Sequence, residues 1–580
     1  MKILKHKKEE KLELFSSLYE ASRLSYGEKL DEYEKNLAQY RGSDVIDGSA
    51  EKAVTVRNIT YEIIESQISS DIPLPKVDAI FYSEKRDRCA KSIERLLNSL
   101  RGKMDYKSLN DIDERFTYIY GGSVFYVEWD NTLRVGKEIG AVKLHCLSPK
   151  DFIPQPNITK IEDMDYFFLT FTTTRSELEV KFGISSDRLA LLECEYEECE
   201  NTLGDGDTVR LIVCFYRDED GDVGKFVFSG NLMLEDLPKY YYRKINVCSS
   251  CGGDEGICDC KAELKTENLL YENVAAIGNI PYTDISENSK IPYYIPTSFP
   301  VVIRKNTSSD GELFGQSDCY YIRPEQQAIN KIESRILQKL LRAGITPIVP
   351  EDASISLNNS VFGQLIKIKP GESASQYGKV DTTPDISQDI AEAERLYDHS
   401  KRILGISDAL QGLDTIKNES GYARQLRINQ ATGRLESKRK MKHGAYANVD
   451  KLIFEHYLAF ADEPRALTYK DAYGRIHNME FCRYDFLEFD GEGELYFDDG
   501  FLFGVDLNEA AEYRREELWE RNLENLKAGT LGDPSDPATL LRYWQSQERA
   551  HYPYARENVE YFLEAQKREG GGIIGEEKFH

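Results

Sequence analysis

Three features of the sequence predict an α+β fold built from more than one packed unit. Between residue 118 and about residue 230, strand-like runs divided by Gly, Asp and Asn turns predict a mainly antiparallel sheet region. After Pro300, apolar residues recur at helical spacing through long stretches without a helix breaker. A chain of 580 residues also exceeds what one ordinary hydrophobic core accommodates.

Composition narrows the functional classes. The apolar fraction of 41% is a little below the globular average, but aromatic usage of 11%, with 36 Tyr, is too rich for a disordered chain. The formal charge of -26 argues against tight, static DNA binding, which needs clustered Lys and Arg. It leaves room for a protein past which DNA slides. The Lys-rich start is charged where an export signal needs an apolar run, and no window approaches the roughly 20 apolar residues of a membrane span. Together with a mean hydropathy of -0.52, this leads us to expect a soluble chain made in the cytoplasm.

In order along the chain, residues 12–40 and 85–100 carry many charges among spaced Leu and Tyr and read as surface helices. Residues 123–129, 141–146 and 210–216 read as strands. The acidic turn 218–222 lacks the Glu at the twelfth position of a calcium loop and is flanked by strands, so it reads as a hairpin turn. Residues 323–343 form a helix of about 30 Å, with Pro324 in its first turn, Gly344 at its end and Ile329, Ile332, Ile336 and Leu340 on one face. Residues 345–384, with short β-like runs among Pro, Gly and Ser, form a small α/β excursion. Asp385 caps a second helix whose apolar face is Ile386, Ile390, Ala393, Tyr397 and Leu404, and Gly405 ends it. A loop follows to Ser420. Residues 421–460 contain no proline and predict a third helix of up to about 60 Å, bent at Gly433 and Gly444. Strand-like residues 467–497 precede helices near 508–528, 537–549 and 556–567, and a tail begins at Gly570.

Eleven Cys in a chain without an export signal indicate reduced thiols. Cys248, Cys251, Cys258 and Cys260 place four thiols within thirteen residues, among Gly252, Gly253 and Gly256. Four thiolates suit a closed, structural zinc site. The pairs lie closer together than in common zinc ribbons, so unpaired or disulfide-linked surface Cys and an iron–sulfur cluster stay open as alternatives. No nucleotide-binding phosphate loop, zinc-protease His pair or serine-hydrolase elbow is found, which predicts no enzymatic activity.

Three stretches, in this order, carry a resemblance. The first is Gly122 to Asp130, followed by Ser148-Pro-Lys-Asp-Phe-Ile-Pro154. The second is Phe314-Gly-Gln-Ser317, leading into Arg323-Pro-Glu-Gln-Gln-Ala-Ile-Asn330 and Ile345-Thr-Pro-Ile-Val349. The third is Arg402-Ile-Leu-Gly-Ile-Ser-Asp-Ala-Leu-Gln-Gly412 with Ser420-Gly-Tyr-Ala423. From about residue 75 to 565 the chain resembles the portal proteins of tailed bacteriophages.

That resemblance implies a ring, usually of twelve subunits, with a β-rich wing, helical stem, small α/β clip and helical crown around a DNA channel. The N-terminal region and wing would be 1–316, with a Cys-rich insertion at 246–262. The first stem helix would be 317–344, the clip 345–384, the second stem helix 385–404 and the tunnel loop 405–420. The long helix and wing return would be 421–504, the crown 505–567 and a disordered tail 568–580. The implied partners are double-stranded DNA held transiently and without sequence preference, a terminase packaging motor, a head-completion adaptor, and capsid and scaffolding proteins, with no membrane. The implied location is the capsid vertex of the virion, after assembly in the host cytoplasm. The Cys-rich insertion and the first hundred residues depart from the resemblance.

Within this frame Lys331, Arg335, Gln338 and Arg342 share one face of the first stem helix, opposite its apolar stripe. Arg395 and Arg402 share a face of the second. These faces are either solvated and salt-bridged between subunits or turned toward phosphates. The resemblance implies that Gln411, Lys417 and Asn418 of the tunnel loop face DNA through backbone contacts. Arg424, Arg427, Arg434, Lys438, Arg439, Lys440 and Lys442 form the most basic stretch, and pairing with carboxylates of neighbouring subunits is its expected use. The alternatives to a portal are another structural or scaffolding protein of a viral assembly, or a zinc-dependent nucleic-acid enzyme.

Overall fold

The computed structural model describes residues 8–43, 55–81, 83–135, 138–189, 192, 208–248, 264–273, 290–342, 348–350, 366–368, 384–406, 421–470, 476–491, 493–505, 512–534, 536–549, 552, 555, 557–559 and 561–562. Among them the protein is a mixed α+β structure, and its larger sheets are antiparallel.

A five-stranded antiparallel meander runs in chain order through Phe152–Pro154, Tyr166–Thr174, Thr208–Arg217, Val223–Ser229 and Leu232–Leu237. Its strands read as nearly continuous apolar runs because both faces are covered. Side chains alternate across a strand, so Phe167, Leu211, Val213, Phe215 and Val227 enter one core. Phe168, Ile212, Cys214, Tyr216, Phe226 and Phe228 enter another. The second face is covered by helix Lys8–Ser25, whose Phe15 is fully buried and stacks on Phe226 at 4.6 Å between ring centroids. The amino-terminal helices, expected to lie on the surface, are therefore part of a core. Helix Gly27–Arg41 likewise buries Tyr33, Asn36 and Gln39.

A three-stranded sheet places Gly122–Val135 between Val301–Lys305 and Glu138–Leu147. Helix Tyr106–Tyr120 turns directly into its central strand through Gly121, whose φ is 91°. A Cβ there would collide with the carbonyl of Gly315, and Asn306 N–H donates to the Gly121 carbonyl. The missing side chain at Gly121 is what allows Phe314-Gly-Gln-Ser317 to pass so close to the helix end.

The largest core lies between helix Glu84–Lys103, the three-stranded sheet, the C-terminal half of the 40-residue helix Gly421–Phe460 and residues 467–503. The long helix continues through Gly433 and Gly444 without a break. Two arginines from distant segments hold its last carbonyls. Arg243 donates to Ala459 and Phe460, and Arg483 to Leu458 and Ala459. Cations there complement the negative end of the helix dipole. Strand Phe501–Val505 then returns to pair with Pro75–Ala79, and helices Glu512–Lys527 and Pro537–Arg549 follow.

Helices Asp318–Arg342 and Ser387–Leu404 pack against each other through Ile332, Ile336 and Ala393. Further along, Ile322, Ile329, Tyr397 and Leu404 join Ile59 and Ile63. Two details differ from expectation. The first helix begins at Asp318, so Pro324 lies inside it rather than in its first turn, and its ring leaves the Tyr320 carbonyl without the usual intrahelical donor. Asp385 does not cap the second helix. It accepts from the backbone and hydroxyl of Ser387, while Ile386 occupies the cap position. Gly405, at φ 74°, closes this helix as expected, with Ile406 N–H returning to the Lys401 carbonyl. Between the two helices, Ile348–Pro350 pairs in parallel with Ile366–Ile368.

Candidate functional site

The helix pair presents the charged faces singled out above. Lys331 and Arg335 are exposed and Gln338 is half-buried. Arg342 ends the helix, and its side chain lies outside those described. The apolar stripe Ile329, Ile332 and Ile336 turns inward, which pushes these residues outward at 100° per residue.

Arg335 bridges the two helices. Its guanidinium reaches Asp389 on the facing helix at 3.0 Å, and Lys339 reaches the other oxygen of the same carboxylate. Arg57 at 2.8 Å from Glu394 and 3.9 Å from Glu333, with His399 near Glu325 at 3.2 Å, adds further bridges across the pair. Arg335, still more than half exposed, thus pairs within its own chain. Arg395 is exposed and makes a two-pronged bond to Glu392, which lowers that carboxyl below its ordinary range by hydrogen bonding. Arg402 is exposed in the last turn of its helix. Of the predicted stripe, Lys331 is the exposed cation with no carboxylate partner among the described residues.

Two members of the basic stretch of the long helix pair within the chain. Lys438 lies 2.7 Å from Asp318, at the start of the first paired helix, and also donates to Gln67. Lys442, almost fully buried, lies 3.1 Å from Glu114. Both pairs are internal to the chain. Arg439 and Lys440 are exposed, and the side chains of Arg424, Arg427 and Arg434 lie outside those described.

These lysines belong to a buried ionic hub that the sequence did not disclose. Arg304 on strand Val301–Lys305 donates to Asp113 and lies 2.9 Å from Glu114, with all three side chains at most 2% exposed. Burial pushes the Asp113 carboxyl up, Arg304 offsets this only in part, and the adjoining Glu114 charge adds to the rise. Glu114 also loses solvent, but Arg304 and Lys442 together bring it below its ordinary value. Burial lowers the Lys442 ammonium despite Glu114. Three carboxylates, Asp113, Glu114 and Asp318, thus face three cations, Arg304, Lys438 and Lys442. A cavity of about 50 Å³ lies beside them. The hub joins helix Tyr106–Tyr120, the three-stranded sheet, the first paired helix and the long helix. The available signal was the polar stripe Asn110, Asp113, Glu114 and Thr117 at helical spacing, all buried.

The remaining predicted sites are reached only at their edges. Gln411, Lys417 and Asn418 lie outside the described residues, as do Cys251, Cys258 and Cys260. Cys248 ends strand Arg243–Cys248, where it faces Leu264 in an antiparallel ladder with Leu264–Leu269. The two ends of the Cys-bearing segment are therefore adjacent. The turn 218–222 joins two antiparallel strands as expected. Among the described residues, Asp218, Asp220 and Asp222 have oxygens within 4.8 Å of one another. Asp218 accepts from the backbone of Asp220 and Asp222, and Lys239 lies 2.8 Å from Asp222. This cluster therefore already holds a cation.

Among the described residues, no helix is long and apolar enough to cross a membrane. No model of a known protein family matches the chain, and no curated protein is similar to it.

Proposed function

We propose that this chain is the portal subunit of a tailed bacteriophage, forming a ring at one capsid vertex through which duplex DNA enters and leaves. The observation that carries this reading is the antiparallel pair Asp318–Arg342 and Ser387–Leu404. A small strand pair lies between the two helices in sequence, and a loop then leads to the long helix Gly421–Phe460. In the proposed ring the pair is the stem, the strand pair belongs to the clip that docks a packaging ATPase and later a head-completion protein, and the tunnel loop 405–420 lines the channel. The body formed by the five- and three-stranded sheets is the wing.

A strongly acidic ring suits passage rather than capture. Negative charge keeps phosphates from sticking, while sparse cations such as Lys331 give weak contacts that salt screens readily. The chain itself hydrolyses nothing, and the energy for moving DNA comes from the docked motor.

Electron microscopy of the purified protein tests the reading. Rings with a central hole, with a mass near twelve times 66.5 kDa, are expected, and a monomer at every concentration refutes it.

A further inference from the structure

A cavity of about 390 Å³ opens between the loop around Lys160, strand Val301–Lys305 and the long helix. Its floor includes Phe299, Val301 and Leu452, and its rim is cationic. Lys160, Arg217, Lys305 and Lys451 line it, against the two carboxylates Glu162 and Glu455. Among the described residues, Lys451 is the one of these cations paired with a carboxylate. Among the described residues, the Arg217 guanidinium donates to the carbonyls of Gly221 and Thr297, and Lys305 to that of Glu312. Lys160 is exposed, with no partner among the described residues. Lys451 is paired, at 3.7 Å from Glu455.

We propose that this cavity is a socket for an acidic, partly apolar segment of a second copy of the chain. The excess of cations at its rim is anomalous on a protein with a net charge of -26, and the surface of another copy supplies the complementary sign. The apolar floor favours a polypeptide over a bare phosphate backbone, because phosphate contacts leave such surface uncovered. The socket cannot meet itself across a two-fold axis, since two concave, like-charged faces would oppose each other. The socket therefore takes a different patch of the neighbouring copy, either head-to-tail, which closes into a ring or continues as a filament, or reciprocally across a two-fold axis. The inference rests on the portal reading only for the premise that copies of this chain associate.

The test uses the full chain. Lys160→Glu/Lys305→Glu is expected to weaken assembly roughly tenfold or more in light scattering at low salt, while Lys160→Arg/Lys305→Arg assembles like the parent. A photo-cross-linker at position 160, in a mixture of isotopically light and heavy chains, is expected to join light to heavy. This second measurement decides the matter if the charge-reversed protein fails to fold. Cross-links confined to single chains, cross-links to added duplex DNA, or unimpaired assembly of the charge-reversed variant overturn the socket and leave the ring intact. A parent that never associates overturns both.

Discussion

Replacing Arg304 by Met removes the guanidinium from between Asp113 and Glu114 while keeping an unbranched side chain. Both carboxylates are at most 1% exposed, so bulk water does not reach the charges left behind. Lys442, 3.1 Å from Glu114, serves only one of them. Truncating one partner of a buried pair costs about 3–5 kcal/mol, because the other charge stays desolvated. The adjacent cavity of about 50 Å³ has room for a water, which can relieve part of the penalty and places the cost near about 3 kcal/mol. At about 1.4 kcal/mol per factor of ten, the unfolding equilibrium shifts by roughly two powers of ten. Adding Asp113→Asn restores the balance of charge, and Ser123 and Tyr446 still find hydrogen-bond partners at that position. The double variant is expected to recover about half of the loss. Urea unfolding followed by tryptophan fluorescence reads this out, since Trp129 shares a core with Tyr446. A single variant within about 1 kcal/mol of the parent, or a double variant less stable than the single, refutes the reasoning.

Metal analysis of the reduced protein is expected to find about one zinc per chain, held by Cys248, Cys251, Cys258 and Cys260, and finding none removes the assignment. Deleting residues 413–418 is expected to leave rings of normal size while lowering the amount of DNA packaged, with Lys417→Glu a milder version. Loss of rings would instead make the loop an assembly contact. Burial pushes the Asp450 carboxyl up to about 6 against the partial pull of Arg101. A folded value above the unfolded one means that its stabilising share is complete below the unfolded value near 4 and is lost as pH rises through 6. Stability therefore gains about 1 kcal/mol from this group between pH 7 and 5, and Asp450→Asn should remove that increment in paired urea titrations. Phe15→Ala is expected to cost about 3–5 kcal/mol in the unit containing the five-stranded sheet, and a change below about 1 kcal/mol would return the first helix to the surface.

Periodicity made the paired helices, the long helix and the main strands legible, because each buries a regular stripe or a continuous apolar run. It did not tell which stripe meets another part of the chain. Phe15 and Tyr19 have the same spacing in a surface helix and in one that closes a sheet, and only the aromatic face formed by Phe168, Phe226 and Phe228 separates the two cases. Lys331 and Arg335 were equivalent on a helical wheel, yet Asp389 on the facing helix takes one and not the other. The hub was hidden for the opposite reason. Its stripe is polar, which by itself reads as a solvated face, and its inward turn depends on Arg304 and Lys442, which are remote in sequence from Asp113 and Glu114. The Pro324 misplacement is of the same kind, since a proline after a run of ordinary residues looks like a beginning.

The long helix is held at its far end by Arg243 and Arg483, along its C-terminal half by the largest core and at its middle by Lys438 and Lys442 in the hub. The stretch before Lys438 is then the arm of a lever pivoted at the hub: at roughly 1.5 Å per residue it spans about 25 Å, so a tilt of about 5° swings Gly421 through roughly 2 Å. The Lys438–Asp318 pair couples the root of that arm to the base of the first paired helix. A displacement where the paired helices meet the body would therefore reach the start of the long helix through the hub.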